Sequence, residues 1–198
     1  MGVTILFAGG HAKQCIDIFL ENGEEIDAVL DDSWDGTPIP FYRGYSITGK
    51  ISEAMTGRAF CAAGEIAIRE RISKKVNALW VNCISQRAYV SPGAKIGFGC
   101  YVGAFGIVGP NSDVGNFCII NEGAKVTHDC VVGSFCNISP GATICGRVHI
   151  DTRVFIGANA TVNPRVKICK GAVIGSGGVV IRDVAFGSKW AGVPVKRL

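Results

Sequence analysis

The sequence predicts an α/β domain with a half-Rossmann-like fold over residues 1–83, followed by an all-β parallel β-helix over residues 84–198. The β-helix is indicated by a six-residue repeat from Val90 to Val180, in which all sixteen successive repeat positions are Val or Ile. A small or narrow residue lies two positions before most of them. Residues two apart on a strand share a face, so both are expected to point inward. The α/β domain is indicated by apolar strand-like segments that alternate with segments of helical spacing.

In the first domain, residues 3–8 read as a buried strand, and apolar residues with helical spacing follow it. Ile26–Leu30 and Arg58–Ala63 are the next predicted strands, separated by a loop that contains Pro and Gly, and Glu65–Val76 is a predicted helix. This β-α-β pattern predicts a small parallel sheet with ligands beyond the carboxyl ends of its strands. Because the full GxGxxG fingerprint is absent, the domain is expected to hold one nucleotide rather than a dinucleotide.

The period of six residues fits a parallel β-helix and does not fit an amphipathic α-helix, whose period is 3.6 residues. Such runs resemble the left-handed β-helix of the hexapeptide acyltransferases, in which three hexapeptides form one triangular coil. On that resemblance, residues 18 apart in this sequence are expected to lie above one another. Five coils would form a prism about 24 Å long, at about 4.8 Å per coil. The residues after Val180 leave the repeat and are expected to cap it.

The composition argues against membrane and nucleic-acid functions. Hydrophobic residues make up 48% of the chain, but no apolar run approaches the length of a membrane span. The net charge is only +4, and no cluster of Lys and Arg indicates nucleic-acid binding. The amino-terminal segment has no basic lead and no evident cleavage site, so it is interpreted as a buried strand rather than a signal peptide.

Nine cysteines are present, but no CxxC pair occurs that would indicate a zinc or redox site. Cys100, Cys118, Cys130 and Cys136 occupy the inward small position of the repeat, where a thiol acts as a small apolar side chain. With no signal peptide expected, these free cysteines predict a reducing, cytoplasmic location. No metal is expected.

Several motifs resemble the sugar acetyltransferases that acetylate the amine of a nucleotide-linked 4-amino-sugar, of the bacillosamine and viosamine type. They occur in order along nearly the whole chain: Ala8-Gly9-Gly10-His11, Leu30-Asp31-Asp32, Ala63-Gly64 with Ile68-Arg69, Val90-Ser91-Pro92, His128-Asp129-Cys130-Val131-Val132-Gly133, and Gly192-Val193-Pro194 with Lys196-Arg197. The resemblance implies transfer of acetyl from acetyl-CoA to a nucleotide-activated 4-amino-4,6-dideoxy sugar, by direct attack and without a metal.

The same resemblance implies that His128 is the general base, supported by Asp129, and that Asn121 helps to bind the sugar. Histidine suits this task because its ordinary pKa, about 6.5, allows it to accept a proton near neutral pH. Repeat geometry alone gives other interpretations: His128 is a solvated corner residue, and Asp129 forms a surface ion pair with Arg147 one coil above. Asn121 is then simply a residue type that is common in turns. Gly146, one coil above His128, leaves room for the imidazole.

The substrate and cofactor contacts follow from the resemblance as well. Substrate binding is assigned to Gly9, Gly10, His11, Asp31, Asp32, Gly64 and Glu65. Of these, the glycines and His11 are expected near phosphate at a helix N-terminus, and the two aspartates near the ribose or base. Acetyl-CoA contacts are assigned to Asn137, Gly146, Ala158, Ser176 and Gly177. Asn137 and Glu65 depart from the family, which often has His and Asn at these positions, and the departure at Glu65 leaves the nucleobase open.

The resemblance further implies a homotrimer with active sites between neighbouring subunits. Outward-facing apolar residues of the repeat are expected to be buried in such an interface: Ile107, Ile119, Val131, Phe155, Val173 and Val179. The closest alternative function is sugar O-acetylation of the sialic-acid type, which uses the same architecture. A structural scaffold would need no nucleotide domain, and a β-helix enzyme of the carbonic anhydrase type would need three histidines where the repeat has two, His128 and His149.

Overall fold

A computed structural model describes residues 2–52 and 57–198, and the chain divides into two units between Ser85 and Gln86. The first unit contains β1 (Val3–Leu6), α1 (Gly10–Glu21), β2 (Ile26–Leu30), β3 (Ile39–Tyr42), β4 (Tyr45–Gly49), β5 (Arg58–Cys61), α2 (Ile66–Lys75), β6 (Leu79–Trp80) and β7 (Cys83–Ile84).

The sheet of the first unit has the strand order β3-β4-β2-β1-β5-β6. All neighbours in it run parallel except β3 and β4, which form an antiparallel hairpin. The predicted parallel β-α-β core is therefore confirmed. The hairpin replaces what the sequence predicts to be a loop. Its outer strand β3 contains Pro40, which lacks a backbone N–H and is tolerated at the edge of a sheet.

Helix α1 covers the sheet with one apolar face, as the helical spacing of the residues after the first strand predicts. Helix α1 buries Ala12, Cys15, Ile16 and Phe19, which recur at three and four residues and so share one face. The Phe19 ring meets the Phe60 ring of β5 edge-on, with centroids 5.6 Å apart. This packing fixes the carboxyl ends of β1, β2 and β5 at one edge of the sheet.

The second unit is a parallel β-helix of two-residue strands. Its strands are β8 (Tyr89–Val90), β9 (Lys95–Ile96), β10 (Tyr101–Val102), β11 (Ile107–Val108), β12 (Asp113–Val114), β13 (Ile119–Ile120), β14 (Lys125–Val126), β15 (Val131–Val132), β16 (Asn137–Ile138), β17 (Thr143–Ile144), β18 (His149–Ile150), β19 (Phe155–Ile156), β20 (Thr161–Val162), β21 (Lys167–Ile168), β22 (Val173–Ile174), β23 (Val179–Val180), β24 (Lys189–Ala191) and β25 (Lys196–Arg197).

Strands of successive coils pair in parallel with a register of 18 residues. Tyr101 lies opposite Ile119, Ile107 opposite Lys125, and Asp113 opposite Val131. Every third strand therefore belongs to the same face of a three-faced prism. The predicted parallel β-helix and its 18-residue stacking are confirmed. Strand β24 extends one face beyond the repeat and β25 folds back against it antiparallel, so the last residues form the expected cap.

The interior of the β-helix contains the residues of the hexapeptide pattern. From Val102 to Val180 the Val and Ile residues at the six-residue repeat positions are at most 1% exposed, and Val90 and Ile96, in the first coil, are half-buried. Cys100, Cys118, Cys130 and Cys136 are fully buried between them. Burial raises the pKa of the Cys130 thiol, which keeps it neutral and unsuited to nucleophilic attack.

The glycines that follow inward aliphatic residues, such as Gly115 and Gly133, are not required by a left-handed backbone conformation. The residue with a positive φ angle lies two positions further along each turn. That residue is often not a glycine, as Phe117, Asp129 and Arg147 show. Where a glycine directly follows the aliphatic residue, as at Gly115 and Gly133, it is needed instead because the next coil is close. A Cβ on Gly115 or Gly133 would lie 2.7 Å from a backbone nitrogen of the coil above.

The outward apolar residues do not form a single stripe. The strand pairing places Ile107 and Val179 on one face, Ile119, Phe155 and Val173 on a second, and Val131 on the third. Ile119 is already buried within the single chain, whereas Val131 is 44% exposed. Within residues 2–52 and 57–198, no helix is long and apolar enough to cross a membrane.

Candidate active site

A cleft of about 460 Å³ opens at the carboxyl ends of the parallel strands in the first unit. Its walls are formed by Phe7, Gly9, Gly10, His11, Asp31, Ala62, Ala63, Gly64, Glu65 and Ile68. Six of the seven residues that the sequence assigns to substrate binding lie in these walls. The seventh, Asp32, is exposed and does not line the cleft.

One end of the cleft is the N-terminus of α1. Gly9 is the N-cap residue, and no side chain caps the helix. A Cβ on Gly9 or Gly10 would meet nothing within 4 Å, so protein atoms leave open space beside this turn. His11, in the first turn, has its Nδ1 atom 3.2 Å from Oε1 of Gln14. A helix N-terminus that faces open space is suited to a phosphate group.

Asp31 holds together the two loops that border the cleft. Its Oδ2 atom accepts a hydrogen bond from the Ala8 N–H at 2.9 Å, and its Oδ1 atom accepts one from the Ser33 N–H at 2.9 Å. Partial burial works to raise the pKa of this carboxyl, but the hydrogen bonds from Ser33 and Ala8 outweigh it and leave the pKa lowered. Asp31 is therefore an ionised carboxylate at the wall of the cleft.

Sequence reasoning assigned no role to several residues at this cleft. Phe7, Ala62, Ala63 and Ile68 form an apolar wall. Arg69 is 1% exposed, and its Nη1 atom donates to the carbonyl oxygens of Ala63 at 3.1 Å and Gly64 at 2.6 Å. Phe7, Ala62 and Ala63 could have been expected from their place just after β1 and β5, whereas Ile68 lies on α2. The burial of Arg69 depends on tertiary packing that no local pattern shows.

The second candidate region is the His128 corner, defined here as the turns 109–112, 127–130, 145–148 and 163–166 on successive coils. The Nδ1 atom of His128 lies 2.8 Å from Oδ2 of Asp129. Because an ionised carboxylate only accepts hydrogen bonds, Nδ1 carries the proton and Nε2 has the lone pair. The two side chains remain 55% and 38% exposed. This is the arrangement of an accessible base held by a neighbouring carboxylate.

Gly146 provides the space that the imidazole occupies. A Cβ at this position would lie 2.5 Å from both Cε1 and Nε2 of His128. No other side chain can be accommodated there unless the ring moves. The lone pair of His128 therefore lies against the coil on which acetyl-CoA contacts are expected.

Asp129 has two further partners, each one coil away. The Asn111 amide nitrogen donates to Oδ1 at 3.2 Å, and the Arg147 Nε atom lies 3.8 Å from Oδ2. The hydrogen bond to His128, followed by that from Asn111, lowers the pKa of the Asp129 carboxyl, and the charge of Arg147 contributes. Asn111 also lines a groove of about 250 Å³ together with Gly93, Lys95, Ser112 and Asp113.

The remaining predicted residues lie away from this corner within one chain. Asn121, Ala158, Ser176 and Gly177 belong to what we call the Asn121 corner, the turns 103–106, 121–124, 139–142, 157–160 and 175–178. The Gly177 N–H donates to the Ala158 carbonyl at 2.8 Å, which stacks two of these turns. Asn137 lies on β16, outside the turns, and is 9% exposed. A strand separates the two corners, so a single chain does not bring these residues together with His128.

The histidine outside both regions is paired locally. The His149 Nε2 atom lies 2.9 Å from Oδ1 of Asp151, on another part of the β-helix surface. Among the residues that the structure describes, no group of three His, Cys, Asp or Glu side chains is arranged to hold a metal ion.

Comparison with known proteins gives consistent matches. Residues 3–76 match the model of the PglD N-terminal domain. PerB from Caulobacter crescentus, solved with CoA and GDP-perosamine, is 32% identical, with a TM-score of 0.91; the alignment covers 100% of this chain and 97% of that one. The acetyltransferase domain of PglB from Neisseria gonorrhoeae is 30% identical, with a TM-score of 0.91 and coverage of 100% and 99%.

A curated relative is more similar over a shorter stretch. The uncharacterized protein L142 of Acanthamoeba polyphaga mimivirus is 50% identical over 105 residues. That alignment covers 51% of this chain and 21% of the viral protein, so the matched part spans about a fifth of that relative.

Proposed function

Because this chain belongs to the hexapeptide-repeat family of nucleotide-linked amino-sugar N-acetyltransferases, we propose that it transfers acetyl from acetyl-CoA to the amino group of a nucleotide-activated 4-amino-4,6-dideoxy sugar. The observation that carries the proposal is the His128–Asp129 pair, with its accessible ring beside Gly146. The PerB structure with CoA and GDP-perosamine supports the same two substrates.

The cleft of the first unit is the proposed site of the nucleoside diphosphate. The open N-terminus of α1 at Gly9 and Gly10 suits the phosphates. The apolar wall that includes Phe7 and Ile68 suits a base, and the ionised Asp31 is an acceptor for ribose hydroxyls or base N–H groups.

The proposed chemistry is direct attack of the sugar amine on the thioester carbonyl. The lone pair on Nε2 of His128 takes the proton from the attacking nitrogen, and Asp129 stabilises the imidazolium that forms. The C–S bond then breaks, and the proton passes to the departing CoA thiolate or to water. No covalent enzyme intermediate is needed, and the buried, neutral thiol of Cys130 takes no part.

The separation of the two corners supports a homotrimer with shared active sites. Cofactor contacts expected at Ala158, Ser176 and Gly177 lie on the Asn121 corner, whereas the base lies on the His128 corner. In a trimer of prisms, the His128 corner of one subunit would face the Asn121 corner of its neighbour. The site would then be complete only between two chains.

The test is a free-thiol assay of acetyl-CoA with a panel of acceptors. The acceptors are UDP-, TDP- and GDP-linked 4-amino-4,6-dideoxy sugars. With at least one of the three nucleotides, CoA should be released and the sugar amine should become an acetamide. Sialic acids are included because an O-acetyltransferase of the sialic-acid type would acetylate them. Acetylation of a sialic acid, with no turnover of any amino-sugar nucleotide, would contradict the proposal.

A further inference from the structure

The Asp129 carboxylate is shared among three side chains on three successive coils. Its Oδ2 atom accepts from His128 Nδ1 at 2.8 Å and faces Arg147 Nε at 3.8 Å, while its Oδ1 atom accepts from the Asn111 amide at 3.2 Å. Asn111, Asp129 and Arg147 are 18 residues apart, so they occupy the same position of the turn on consecutive coils. The fold itself therefore places these partners around the carboxylate.

The backbone holds this column in place. The Asp129 N–H donates to the Pro110 carbonyl and the Arg147 N–H to the His128 carbonyl, both at 3.0 Å. Asn111, Asp129 and Arg147 have φ values of 57°, 57° and 62°, so their side chains leave the turns in the same way.

The two outer partners act on the carboxylate in different ways. The Asn111 amide fixes the rotation of the carboxylate, so that the other oxygen faces the imidazole. The Arg147 guanidinium attracts the oxygen that also accepts from His128, which reduces the charge support available to an imidazolium. Arg147 is 59% exposed, so its effect is screened by salt, unlike the hydrogen bond from Asn111.

We propose that Asn111 and Arg147 are positioning residues that act on His128 through Asp129: Asn111 orients the carboxylate, and Arg147 sets the pH range over which the imidazole works as a base. The inference rests on the proposed function of His128 as base. The titratable or charged side chains on the turns of this corner, besides His128 itself, are Asp129 and Cys130 on its own turn, Cys145 and Arg147 on the next coil, and Arg165 on the coil after that. The turn before it, from Gly109 to Ser112, contains none.

The test is the pH profile of kcat/KM in the thiol-release assay for Arg147→Gln and Asn111→Gly. In Arg147→Gln the fall in rate on acidification should begin at higher pH, because the imidazolium gains support when the competing charge is lost. This difference should shrink at high salt. Asn111→Gly keeps the positive φ without strain and should lower kcat about two- to tenfold, the effect expected from one hydrogen bond.

The matched control is Arg165→Gln, which removes a positive charge from the same column one coil beyond Arg147. Arg165 has a similar φ of 65° and is exposed, and its backbone N–H donates to the Gly146 carbonyl. It should leave the profile unchanged. Equal shifts in both Arg variants, or no shift in Arg147→Gln, would overturn the inference. Parental activity in His128→Ala would instead overturn the proposed function, so the two failures are distinguishable.

Discussion

Gly146 is the residue on which the position of the His128 ring depends. The imidazole of the coil below fills the space that a side chain at position 146 would need. A Cβ there would lie 2.5 Å from the ring, closer than side-chain atoms approach one another. The sequence showed this vacancy through the 18-residue stacking, and it also showed Arg147 above Asp129. Asn111 lies one coil below Asp129 by the same 18-residue spacing, but the spacing alone did not identify it as a hydrogen-bond donor to the carboxylate.

Replacing Gly146 by alanine tests this packing. The added Cβ would meet Cε1 and Nε2 of His128, so the ring must turn away and lose its alignment. We expect kcat to fall by about 10²-fold, the effect of misplacing a catalytic group by about 1 Å, while Tm changes little. A variant with full kcat would show that the ring position is unimportant. A large fall in Tm would show that the turn itself had collapsed.

Replacing Asp129 by asparagine tests the carboxylate. The isosteric amide removes the negative charge next to the imidazole, but the base is still present. We expect a decrease in kcat that is smaller than in His128→Ala, with unchanged KM values. The measurement is steady-state kinetics of both variants under identical conditions. A larger loss in Asp129→Asn than in His128→Ala would contradict the assigned roles.

At the scale of elements, the first unit depends on how the ends of β1 and β2 are tied together. Asp31 accepts backbone hydrogen bonds from Ala8, just after β1, and from Ser33, just after β2. The sequence placed Asp31 and Asp32 equally at the end of β2. The structure separates them because Asp31, held by the Ala8 and Ser33 N–H groups, lines the cleft, whereas Asp32 lies in the following turn and is exposed.

Replacing Asp31 by alanine leaves two N–H groups without their acceptor. We expect a loss of unfolding free energy of about 1–3 kcal/mol and weaker nucleotide binding, measured by urea unfolding and thermal shift.

The contribution of Asp31 to stability should also depend on pH. The pKa of Asp31 is lowered on folding, so the stabilisation that its carboxylate gives the folded protein is complete above the unfolded-state pKa and is lost as pH falls through the folded-state value. The exposed Asp32→Ala is the control. Equal effects of both variants would contradict this account.

At the scale of the molecule, the β-helix could be predicted almost completely and the cleft domain only in part. Six-residue periodicity fixes which residues face inward, and this local pattern is repeated without interruption. The β3–β4 hairpin was missed because Pro38, Pro40 and Gly44 are typical of loops. The burial of Arg69 was missed because it follows from packing between α2 and the strand ends. The spacing also implies that Asn121 and His128 lie at two different corners. Successive corners are six residues apart, the same corner recurs only after 18, and positions 121 and 128 differ by seven.

A homotrimer is the expected assembly. The His128 corner and the Asn121 corner would complete one another between subunits. Light scattering at micromolar protein should give three times the mass of the 20.8 kDa chain. A monomeric mass with full acetyltransferase activity would show that one chain suffices.

The central claim is that His128 is the general base, and kinetics of His128→Ala test it most directly. General-base catalysis contributes about 10²- to 10⁴-fold, so kcat should fall by that amount. The KM values and the assembly should be retained, because the side chain lies at an exposed corner and not in the core. The rate of the parent enzyme should fall on acidification because the His128 imidazole takes up a proton. The pH profile of His128→Ala should lack that fall. A His128→Ala enzyme with parental kcat and pH profile would contradict the account.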